Sequence, residues 1–237
     1  MTFTNEGQLY EAVTDAIKEI EALFRTRPDH KDWLGGDFRS LEKTLDGHHL
    51  HLLGEAHYSR KPIDYIHQHL VSRIEGNPHT WLVLREDTKI AIEDPSDYPT
   101  YFYIRGLAKL FGLPYEDALA SLYAPDTRAY ILRKAGISEE DIDRLVLTMC
   151  LDSETLEDYR EDFKGLVNLM SQDLQRSPEY TRRLLLMGPK NDLDFGEVIG
   201  KHWNDYSREM LHGLLKRYPD RTEVLVSVGY EHFPVFE

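Results

Sequence analysis

Apolar residues at Leu9, Val13, Ile17, Ile20 and Phe24 recur at spacings of three and four, which predicts one buried face of an amphipathic helix over 6–24. A loop containing Pro28, Gly35 and Gly36 follows, with Trp33 as a packing anchor, and Asp37 or Ser40 is expected to cap a short helix. Leu50, Leu52 and Leu53 then read as a buried strand that ends in Gly54, Glu55, Ala56 and His57. Residues 59–74 return to helical spacing at Ile63, Ile66, Leu70 and Ile74. A second apolar strand, TWLVL at 80–84, runs into Arg85, Glu86 and Asp87.

From Pro99 to Arg183 only helical signals are found, over 101–111, 115–123, 127–135, 138–151 and 153–174. A helix over 195–218 carries an apolar stripe of Val198, Trp203, Met210 and Leu214, and the last strand, 224–228, opens into Gly229, Tyr230, Glu231 and His232. Strands separated by helices predict an α/β fold with a mixed or mainly parallel sheet flanked by helices. The chain is expected to form a single α/β domain over 1–237, with a large all-helical insertion at 99–187 acting as a lid. Tyr98, Tyr101, Tyr103, Tyr115 and Tyr123 could line a pocket there, ordinary helix packing being the stronger reading.

Composition adds limits. The 237 residues, 41% hydrophobic and 30% charged, can bury one sizeable core. A net charge of -14, from 42 acidic against 28 basic residues, opposes binding to nucleic acid, which needs a basic footprint. The single cysteine, Cys150, rules out an internal disulfide and reads as a small buried hydrophobe, so any metal would take nitrogen and oxygen ligands. The amino terminus lacks a basic region followed by an apolar stretch, and no run of about 18 apolar residues could span a bilayer. These features lead to the expectation of a cytoplasmic protein without an integral membrane segment, acting on a small molecule or peptide. They leave its oligomeric state open.

The candidate chemistry lies at the strand ends. If the strands are parallel in one sheet, His57, Glu55, Glu86, Asp87, Glu231 and His232 share its carboxyl edge, where α/β proteins keep their sites. Gly54 and Gly229 fit a sharp turn or a close backbone approach there. Two routes are open: a divalent metal that lowers the pKa of a bound water, with His57, His232 and Glu86 as ligands, or a histidine acting directly as general base. Arg85 and Arg208 are candidate partners for an anionic group or developing oxyanion, with Tyr58 and Tyr230 beside the histidines. His48, His49 and His51 precede the strand end and read as solvated or pairing residues, as do His30, His67, His69 and His79.

GEAH at 54–57, Glu86 in WLVLRED and the closing GYEH at 229–232 resemble the superfamily that groups erythromycin esterases, ChaN haem-binding lipoproteins and TraB/TIKI proteins. The resemblance implies an α/β core with a helical insertion and a site on both histidines. It implies hydrolysis in the esterase branch, metal-dependent proteolysis in the TIKI branch, and His57, His232, Glu55 and Glu86 as the residues carried over. The alternative it allows is a non-catalytic cleft for haem, a metal or a small ligand. Asn204, Asp205, Arg208 and Met210 depart in spacing from the family's arginine-containing helix motif, which favours a third reading, a domain that kept the fold and lost the chemistry.

Overall fold

A computed structural model describes residues 3–25, 38–55, 59–86, 94–96, 98–120, 124–150, 162–187, 201–229, 233 and 235–236. The chain has an α/β fold built on a five-stranded sheet in the order β1-β2-β5-β3-β4. Its strands are β1 (Arg39–Leu45), β2 (His48–Glu55), β3 (Trp81–Arg85), β4 (Tyr115–Asp117) and β5 (Glu223–Gly229). Among the described residues only the β1–β2 pair is antiparallel; β2–β5, β5–β3 and β3–β4 are parallel.

The β1 strand corrects one expectation. Ser40 lies within it rather than capping a helix, and Asp37 falls outside the described residues. The cause is the two-residue turn Asp46–Gly47, with φ of 50° and 85°, which sets Leu45 opposite His48. Positive φ at both central residues is the requirement of a type I′ hairpin turn, whose twist matches that of the flanking strands. With only Leu41 and Leu45 apolar, β1 carries too little hydrophobic alternation to be read by itself.

Helix α1 (Glu6–Arg25) buries Leu9, Val13 and Ile17 as its spacing predicts. Ser59 caps α2 (Arg60–His69), its hydroxyl accepting from Lys61 N at 3.3 Å. The helix expected over 59–74 is divided at Leu70, and its second part is α3 (Val71–Gly76). With α4 (Pro99–Phe111), these helices bury Ile63, Ile66, Tyr103, Ile104 and Leu107 against Leu53, Val83 and Leu225 from the central strands. Leu50, Leu52, Leu82, Leu84, Val224 and Val226 on the opposite sheet face are buried too. Burial on both faces is why the parallel strands read as continuous apolar runs.

A second correction concerns 115–123. Gly112, with φ of 63°, ends α4, and Tyr115–Asp117 pairs with β3 as strand β4. Val83 N donates to Pro114 O at 2.9 Å and Ala118 N donates to Arg85 O at 2.8 Å. A ladder partner distant in sequence overrides the local helical spacing here.

The chain divides into two compact units, Met1–Leu119 with Ser207–Glu237, and Ala120–Tyr206. Helix α4 and strand β4, which lie within the expected 99–187 insertion, belong to the first unit. The second unit contains α5 (Pro125–Ala135), α6 (Glu139–Cys150), α7 (Phe163–Leu174) and α8 (Pro178–Met187), and no strand among its described residues. Helix α9 (Lys201–Arg217) crosses the division in the chain. No helix among the described residues is long and apolar enough to cross a membrane.

Candidate functional site

Because β2, β5 and β3 are neighbouring parallel strands, their carboxyl ends share one edge of the sheet. The register sets Glu55 opposite Gly229, Gly54 opposite Val228 and Arg85 opposite Ser227. Glu86 leaves β3 with its backbone N donating to Ser227 O at 3.1 Å. Its Oε2 accepts from Gly229 N at 2.7 Å and from Tyr101 Oη at 3.4 Å. The acidic residue after one strand is therefore bound to the glycine that opens the second histidine motif. A carboxylate fixed by a backbone N–H is held in one orientation, as catalysis requires of a positioned group.

Gly54 is set by close packing. A Cβ added to it would lie 2.5 Å from Phe233 Cδ2 and 3.1 Å from Cγ. Of the two reasons the sequence offered for a glycine here, close approach is the one that applies; φ is not in the left-handed region. The Phe233 ring is buried and carries the Arg39 guanidinium at 4.8 Å from its centroid.

Arg85 is fully buried, with its guanidinium 4.5 Å from the centroid of the Tyr101 ring and 5.8 Å from that of Tyr115. Burial pushes the Tyr115 phenol up to about 12, with Arg85 acting in the opposite direction. Tyr101 is buried in the core, as helix packing requires, and its hydroxyl also donates to Glu86. Arg208, on α9 with Asn204, Asp205 and Met210, donates from Nε to Val235 O at 2.8 Å. His57, Tyr58, Tyr230, Glu231, His232 and Asp87, with the side chain of Glu55, lie outside the described residues.

A different group lies toward the amino-terminal half of the parallel strands. Glu42 on β1 and His49 and His51 on β2 each bring a ligand atom within 4.8 Å of the others and could hold a metal ion. Of the two readings of His51, solvated or pairing, the second holds: the residue is buried and its Nε2 lies 2.8 Å from Glu223 Oε2. The signal for this group was the alternation His49–Leu50–His51, since residues two apart on a strand share a face. Nothing in the sequence singles out Glu42, because the polar β1 strand carries no signal of its own.

The fold and these edges define a mostly parallel α/β protein with polar groups gathered at the carboxyl ends of adjacent strands. No family model matches the chain, no curated protein matches it, and no solved structure matches it.

Proposed function

We propose that the chain is a hydrolase of ester or peptide bonds working at the carboxyl edge of its sheet. The observation that carries this reading is the Glu86–Gly229 hydrogen bond, which joins two of the three strand ends in a sheet that also sets Glu55 opposite Gly229. In the proposed reaction His57 takes a proton from water, Glu86 orients the water or the imidazole, and His232 and Glu55 complete the polar wall. Tyr58, Tyr230 and Arg208 are assigned to substrate; Arg85, also expected from the sequence to meet an anionic group, is fully buried over the Tyr101 ring and is assigned instead to its support. The direct route needs no group beyond the chain's own residues. A divalent metal shared by His57, His232 and Glu86 would supply a bound water of lowered pKa. The GEAH and GYEH motifs support the same reading through their resemblance to the esterase and TIKI branches.

Glu86→Gln tests the carboxylate without removing the acceptor for Gly229 N, since the amide oxygen replaces Oε2. With the best substrate from a panel of p-nitrophenyl esters and unstructured peptides, kcat is expected to fall about 10²- to 10⁴-fold, with KM changed only a few-fold. Wild-type kcat in a folded Glu86→Gln chain would remove Glu86 from the mechanism.

A further inference from the structure

Two histidines and two carboxylates meet on one face of β1, β2 and β5, remote in register from the Glu55–Gly229 end. His49 Nε2 lies 3.3 Å from Glu42 Oε2, and His51 Nδ1 lies 3.3 Å from Glu42 Oε1. On their other side both rings face Glu223, whose Oε2 is 2.8 Å from His51 Nε2 and 3.4 Å from His49 Nδ1. Each imidazole is thus placed between a carboxylate on β1 and a carboxylate on β5.

We infer that Glu42, His49 and His51 form a binding site for a zinc-class divalent transition metal, with Glu223 as the outer carboxylate that orients both rings. The chemistry of His51 is the main support. Its side chain is 0% exposed, and Nδ1 makes no hydrogen bond. When Nε2–H donates to Glu223, Nδ1 carries a buried lone pair that no donor in the protein satisfies, 3.3 Å from Glu42 Oε1. A buried nitrogen acceptor without a donor is costly, and a metal cation held between it and the Glu42 carboxylate would supply the missing partner. Metal-bound histidines characteristically donate their other ring N–H to a carboxylate in this way.

The spacing and the surroundings agree. Ligands about 2.0–2.1 Å from a tetrahedral zinc are separated by about 3.3 Å, so each histidine already lies at that distance from one of the two Glu42 oxygens, and the remaining edges of the group, within 4.8 Å, must draw in by up to about 1.5 Å. Arg73 holds Glu223 Oε2 at 3.0 Å, while Trp81 stacks on His51 with ring centroids 5.2 Å apart and planes 23° apart. The ring is fixed at its edge and its face before any ion arrives. Two imidazoles and one carboxylate favour zinc, cobalt or nickel over magnesium or calcium, which take oxygen ligands. Three protein ligands leave a fourth position for water.

The test uses the full chain carrying His57→Ala and His232→Ala, so that the carboxyl edge does not contribute histidine ligands. After chelator treatment and dialysis, titration with Zn(II), and with Co(II) followed by its visible absorption, is expected to show one equivalent bound per chain. Adding Glu42→Gln or His49→Gln should weaken binding more than tenfold, and Glu223→Gln about 10- to 100-fold through loss of ring orientation. Circular dichroism checks that each variant is folded; Glu42 is half-exposed on its strand, so its variant is the least disruptive. Absence of Zn(II) binding in the double-alanine chain overturns the proposal. So does binding that survives both Glu42→Gln and His49→Gln.

Discussion

Asp143→Ala is expected to destabilise the second unit by about 3–5 kcal/mol, the range found when one partner is removed from a buried ion-pair network. Asp143 is 0% exposed on α6 and accepts from Arg128 Nη2 at 2.6 Å, Arg176 Nε at 3.0 Å and Tyr180 Oη at 2.9 Å. Its partners come from α5, the α7–α8 connection and α8, so one carboxylate ties these segments together. Glu139 also binds both arginines, at 2.7 and 2.8 Å, but it is half-exposed and supplies one charge against two guanidinium groups. Burial, followed by the Asp143 hydrogen bond, pushes the Tyr180 phenol up to about 12. Domain stabilities of about 5–15 kcal/mol make the expected loss a large share of the total. Urea denaturation followed by circular dichroism measures it, with Asp143→Asn expected to fall between wild type and Ala. A loss below about 1 kcal/mol in the alanine variant would show that Glu139 alone neutralises the arginines.

Gly54→Val is the second large effect, with an expected loss of about 2–4 kcal/mol from overpacking and displacement of a buried ring. The new Cβ would overlap Phe233, which is confined between the β2 backbone and Arg39. The two γ-methyl groups of valine add to that overlap. Gly54→Ala should cost less, in the order wild type, Ala, Val. Denaturant midpoints for the three chains provide the comparison; a valine variant as stable as wild type would mean that Phe233 does not press on β2.

The parts of the fold visible in the sequence were those with strong periodicity. Leu9, Val13 and Ile17 marked α1, and the runs around Leu52, Val83 and Val226 marked the three central strands whose parallel order brings the candidate edge together. The missed strands have other causes. The β1 strand is polar and is specified by the Asp46–Gly47 turn, and β4 is short and exists through pairing with β3. Glu42 carries no signal because β1 carries none, and the solvated-or-pairing reading of His51 resolves to pairing, with Glu223, a partner that the sequence spacing does not name. The Glu86–Gly229 bond joins residues far apart in the chain, and no local spacing encodes it.

The hydrolysis proposed for the carboxyl edge depends on His57. Its most direct test is kcat/KM of His57→Ala on the best ester or peptide substrate, measured beside the thermal unfolding of the same preparation. The expected result is activity reduced at least about 10²-fold in a chain that unfolds at the wild-type temperature. Full activity in a folded His57→Ala chain would mean that His57 takes no part in hydrolysis.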